Sequence, residues 1–143
     1  MTNDPILSPR RQHLQGFGIS LVDGDASVRH ARQIMLRSQD YDVRSYVTCA
    51  ALLADPRSRD YPCIVLDIEM ETGNGMTLLR EMRATGWRGK AILLGAGSPQ
   101  SELRQDVERH GDTILDRKIG DGALIAAIEA TVDRSWRGWN PAD

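Results

Sequence analysis

The segment Cys63-Ile64-Val65-Leu66-Asp67 carries the architecture of this chain, because four apolar residues run without alternation into a carboxylate. A strand with one wet face alternates apolar and polar side chains, whereas an unbroken run suits a strand covered by helices on both faces, as in a parallel sheet. Working outward from it, the same unit recurs. Residues 19–23 form a short apolar strand, and residues 26–39 follow as a helix with Val28, Ala31, Ile34 and Met35 at helical spacing. Residues 42–47 read as a second strand and 49–54 as a short helix. Downstream, Gly75 opens a helix with Met76, Leu78, Leu79 and Met82 on one side and Arg80, Glu81 and Arg83 on the other, closing at Gly86. Residues 91–94 give a fourth strand. Ser98-Pro99 and Gly111 bracket a polar helix over 100–110, residues 113–117 are a fifth strand, and residues 122–132 are the last helix. Strand-helix repetition of this kind predicts a doubly wound α/β fold, since each parallel crossover is right-handed.

Composition restricts what such a domain does. With 143 residues, the chain accommodates one domain, expected over residues 16–134, with a flexible leader over 1–15 and a short tail over 135–143. Eighteen Lys and Arg against twenty Asp and Glu leave a net charge of −2, which argues against a surface that coats nucleic acid. Aromatic residues are only 5%, too few for a base-stacking platform. Cys49 and Cys63 lack the spacing of a zinc or redox motif, and His13, His30 and His110 do not complete one, so both thiols are expected reduced and mostly buried. No apolar run approaches the roughly 20 residues of a membrane span and no signal core opens the chain, so a cytoplasmic protein without membrane contact is expected.

In open parallel sheets the ligand site lies outside the carboxyl ends of the strands. There the sequence places Asp23 and Asp25 after strand one, Asp67, Glu69 and Glu71 after strand three, and Arg117-Lys118 after strand five. Crowded carboxylates repel one another unless a cation intervenes. A hard divalent ion such as Mg2+ suits oxygen donors, and beside it a carboxylate such as Asp67 can act as a nucleophile toward a phosphoryl group.

The order Val22-Asp23, then Val65-Leu66-Asp67-Ile68, Met70, Gly75 and Leu78-Leu79 resembles the receiver domain of two-component response regulators, over about residues 19–132. The resemblance implies a flavodoxin-like five-stranded parallel sheet of order 2-1-3-4-5. It implies Asp67 as the phosphate-accepting aspartate, Asp23 as an acidic residue near the metal, and Glu69 as the residue whose backbone carbonyl completes the shell of a bound Mg2+. Asp25 is either a third metal-site acid or the cap of the first helix. Lys118 is the expected charge-neutralising residue, with Arg117 as the alternative, since strand alternation sends the two to opposite faces.

The implied donor is a histidine kinase or phosphotransfer protein, and the implied output is contact with a downstream effector protein. Homodimers through helix 4, strand 5 and helix 5, or through helices 1 and 5, are the arrangements such domains use. No enzymatic activity is implied beyond Mg-assisted self-phosphorylation and dephosphorylation. The stretch after Val132 is shorter than a helix-turn-helix, so direct binding of nucleic acid is not expected. Trp136 and Trp139 beyond the expected last turn either pack back on the fold or form a contact patch.

The sequence also departs from the receiver pattern. Gly24 stands where a second acid is usual, Gly95 where a Thr or Ser is usual, and Lys118-Ile119 where a Lys-Pro step is usual. Ile114 and Leu115 leave the fifth strand without an aromatic, and Glu71-Thr72 replace a frequent Pro-Gly. These changes motivate a second reading, a phosphorylation-independent pseudo-receiver acting as an interaction module. A flavodoxin-type cofactor carrier is disfavoured, because Asp23-Gly24-Asp25 would repel the cofactor phosphate.

Overall fold

The computed structural model describes residues 16–68, 75–95 and 101–136; for 101–103 and 132–136 it describes the backbone alone. Its strands are β1 (Gly18–Val22), β2 (Asp42–Tyr46), β3 (Cys63–Asp67), β4 (Lys90–Gly95) and β5 (Thr113–Asp116), all parallel to their neighbours in one sheet of order β2-β1-β3-β4-β5. Between and after them lie α1 (Ala26–Arg37), α2 (Cys49–Ala54), α3 (Gly75–Ala84), α4 (Ser101–His110) and α5 (Asp121–Trp136). This is the flavodoxin-like α/β arrangement that the receiver-domain resemblance implies, with the parallel sheet that the unbroken apolar strands suggest.

Strand alternation divides the core into two layers. Ile19 and Leu21 of β1, Cys63 and Val65 of β3, and Ile92 and Leu94 of β4 pack with Leu36 of α1 and with Leu124 and Ile128 of α5. The intervening residues Val22, Ile64, Leu66, Ala91 and Leu93 pack with Leu52 of α2, Leu78, Leu79 and Met82 of α3, and Val107 of α4. Both faces of β1, β3 and β4 are therefore buried, which is why their sequences carry no polar alternation. Cys49 and Cys63 are free and buried, and burial pushes the Cys63 thiol up to about 12.

Three local features differ from the sequence expectation. A 3₁₀ turn over Pro56–Asp60 follows α2; Pro56 pre-sets the backbone at its start, and the Asp55 side chain accepts from the Arg57 N–H at 3.0 Å. The last helix runs through Trp136 rather than stopping near Val132, because no glycine or proline interrupts it after Gly122; Trp136 is thus a helical residue, and Trp139 lies outside the described residues. In α1, Ile34 is 55% exposed while Leu36 is fully buried. The face of α1 turned to the sheet carries Arg29, Arg32 and Leu36, spaced i, i+3 and i+7, and of the apolar residues counted along the sequence Met35 packs partly buried against the same core while Val28, Ala31 and Ile34 are exposed. No helix among the described residues is long and apolar enough to cross a membrane.

Candidate functional site

The two-residue alternation of the strands also brings the site residues together. Continuing Ile19 and Leu21 by two gives Asp23, and continuing Cys63 and Val65 gives Asp67, both directed to the layer beneath α1 and α5. Strand β5 pairs with β4 with Asp116 opposite Gly95, and the Arg117 N–H continues that ladder to the Gly95 carbonyl at 2.8 Å. In this register Leu115 and Ile119 pack in the α1/α5 layer and Ile114 in the other. Arg117 has the parity of Leu115, so its guanidinium meets Asp67, hydrogen-bonding Oδ1.

Asp23 is almost fully buried, at 1% exposure. Its Oδ1 accepts the Asp25 backbone N–H at 2.9 Å, and its Oδ2 accepts Arg32 Nη1 at 2.9 Å. Arg29 Nη1 donates to the Asp23 backbone carbonyl at 2.8 Å, and Arg32 Nη2 donates to the Arg117 carbonyl at 3.1 Å. The ends of β1, β3 and β5 are thus tied by guanidinium groups, two of them from α1. Burial raises the Asp23 carboxyl above the usual carboxylate range; the Asp25 N–H opposes this, the Asp67 charge adds to it, and Arg32 opposes it.

The remaining expected residues are placed as follows. Asp25 is exposed and caps α1, its side chain accepting from the Val28 N–H at 3.1 Å. Lys118 is also exposed, and its backbone N–H donates to Asp116 Oδ1 at 2.8 Å. Gly24 is exposed, and a Cβ built there would meet nothing within 4 Å. Glu69, Met70 and Glu71, together with Ser98, lie outside the described residues.

Periodicity along α1 did not single out Arg29 and Arg32, because it counted apolar residues only. A usable signal was nonetheless present. Side chains in a helix tilt toward its N-terminus, so two arginines three apart in the first two turns reach back toward the loop that follows β1.

Mg2+ takes near-octahedral oxygen donors and uses one or two protein carboxylates. Among the described residues no group of three or more His, Cys, Asp or Glu could hold a metal ion. Asp23 and Asp67 each meet a guanidinium, and Gly24 supplies no side chain. As arranged, these residues do not fit a divalent ion.

Comparison with known proteins accords with this architecture. The family model for the response regulator receiver domain matches residues 19–129. The transcriptional regulatory protein FixJ of Azorhizobium caulinodans is 30% identical over 122 residues, covering 85% of this chain and 57% of that protein. The transcriptional regulatory protein TdiR of Thauera aromatica is 26% identical over 114 residues, covering 80% of this chain and 50% of that protein. The chain therefore spans about half the length of the curated relatives it matches. Among solved structures, a CheY-like response regulator receiver domain protein from Methanospirillum hungatei superposes with a TM-score of 0.71 at 17% identity, covering 85% of this chain and 98% of that one. Chemotaxis protein CheY4 of Vibrio cholerae gives a TM-score of 0.69 at 19% identity, covering 80% and 97% respectively. At these identities the structural likeness bears on the fold.

Proposed function

Since the chain belongs to the response regulator receiver domain family, we propose that it accepts a phosphoryl group on Asp67 from a histidine kinase or phosphotransfer protein and signals through protein–protein contact. The observation that carries this reading is Asp67 at the carboxyl end of the central strand β3, 9% exposed, with the Arg117 guanidinium on Oδ1. An Asp67 carboxylate oxygen attacks the phosphorus of a phosphohistidine; the P–O bond forms as the P–N bond breaks, and the departing imidazole nitrogen takes a proton from water. Arg117 takes the neutralising role expected of Lys118. Its planar guanidinium pairs with the carboxylate before transfer and with phosphoryl oxygens afterward, a geometry in which Arg forms two parallel hydrogen bonds.

Receiver domains typically bind Mg2+, so phosphorylation is to be tested with the ion and with a chelator. The full chain is incubated with acetyl phosphate and followed by intact mass. One added phosphoryl group, absent in Asp67→Asn, is expected; an unmodified wild type, or equal modification of both proteins, would overturn the reading.

A second reading rests on Asp23 and Asp67 both being compensated by arginine, and on Gly95 where a hydroxyl is usual: a phosphorylation-independent module that binds its effector in one conformation. Under it, Asp67→Asn leaves effector binding unchanged.

A further inference from the structure

We propose that Arg32 is a resident cation occupying the place of a divalent metal ion, so that the charge of Asp23 and Asp67 is balanced without metal. The inference concerns the same site as the phosphoryl-acceptor reading but not the transfer step.

Three observations converge on Arg32. It bonds two different segments of the site at once, the Asp23 carboxylate at 2.9 Å and the carbonyl of Arg117 at 3.1 Å. Its side chain is 16% exposed and that of Asp23 only 2%, so water screens the pair weakly. Gly24 adds no carboxylate where its Cβ would meet only open space, and Asp25, the next acid, is exposed and accepts the Val28 N–H as the cap of α1. Among the described residues the charges are then three against three, Asp23 and Asp67 with the exposed Asp25, and Arg32 and Arg117 with Arg29 held on the Asp23 carbonyl. A doubly charged ion entering there must displace Arg32 from Asp23 Oδ2 and bring surplus positive charge beside two guanidinium groups. An incidental ion pair would instead swing away when the ion arrives, since an arginine side chain is long and its loss of one partner is reversible.

Metal titration of the full chain separates these. Mg2+ is added to the wild type, Arg32→Leu, Arg32→Gln, Arg32→Lys and the double variant Gly24→Asp/Arg32→Leu, with heat and amide shifts of residues 23–25 recorded. The wild type and Arg32→Lys are expected to show no saturable site at millimolar Mg2+. Arg32→Leu is expected to gain affinity, and the double variant to bind at least about tenfold more tightly than wild type. If Arg32→Leu loses cooperative unfolding, Arg32→Gln, which keeps length and polarity without charge, takes its place. A wild-type protein that saturates with Mg2+ as tightly as the neutral variants overturns the proposal. The measurement uses no phosphoryl donor: failure of phosphorylation leaves it standing, and wild-type Mg2+ binding removes it without touching the acceptor role of Asp67.

Discussion

Replacing Arg32 by Leu should make the stability of this domain depend on pH through one buried carboxylate. In the folded protein Asp23 is 1% exposed and holds two partners on its carboxylate, the Asp25 N–H at 2.9 Å and Arg32 at 2.9 Å, while facing Asp67. Removing one partner of a buried ion pair costs about 3–5 kcal/mol, because the remaining charge is stranded. The surviving Asp25 N–H places this case at the lower end, and the lost bond to the Arg117 carbonyl adds up to about 1 kcal/mol. A cost of about 3 kcal/mol at neutral pH is a large share of the total of about 5–15 kcal/mol typical of a domain.

The sign with pH follows from linkage. The folded Asp23 carboxyl is already raised above the usual carboxylate range, and Arg32 is one of the groups opposing that rise. Without Arg32 it rises further. Between the unfolded value and the raised folded value the native state holds the extra proton, so stability falls as pH increases through that window and recovers as pH decreases. The deficit of Arg32→Leu is thus largest near neutrality and shrinks in mildly acid solution, as pH falls through the raised folded value and the carboxyl takes up its proton. Urea denaturation followed by tryptophan fluorescence measures this, with the midpoint moving and the slope unchanged. Combining the substitution with Asp23→Asn removes the stranded charge and should restore about 2 kcal/mol. A cost below about 1 kcal/mol, or one equal at both pH values, would refute the argument that Arg32 compensates a buried charge.

Two further predictions lie away from the site. Asp112 accepts the Ala91 N–H at 2.8 Å and Arg83 Nη2 and Nη1 at 2.8 and 3.0 Å, so Asp112→Ala should cost about 3–5 kcal/mol in urea denaturation and Asp112→Asn, which keeps an acceptor for Ala91, about half that; equal costs would mean that the Ala91 bond contributes nothing. Cys63 is wholly buried with its thiol pushed up to about 12, so iodoacetamide at mildly alkaline pH should alkylate it, by intact mass, only after denaturation; equal native and denatured rates would contradict its burial.

Much of the fold was legible because burial on both faces leaves a mark in composition. The run Cys63-Ile64-Val65-Leu66 suits a strand covered on both faces, and the glycines and caps around it delimit the helices. Asp23 and Asp67 were legible as well, since a carboxylate ending an apolar strand falls at the rim where parallel sheets bind ligands. The face of α1 was not. Val28, Ala31, Ile34 and Met35 have helical spacing, yet the rotation of a helix about its axis is set by what it packs against, and here Arg32 and Leu36 turn inward and only Met35 of the four joins them, partly buried.

The sequence by itself therefore determined a five-stranded α/β domain, its acidic rim and the aspartate at the end of the central strand, because these depend on local periodicity and chain order. Only the tertiary structure shows which of Arg117 and Lys118, adjacent residues with opposite parity, meets Asp67. The pairing of Asp116 with Gly95 across β4 and β5 directs Arg117 to Asp67 and leaves Lys118 exposed. It likewise brought Arg32 to Asp23, a contact between a helix face and a strand end that no spacing along the chain specifies.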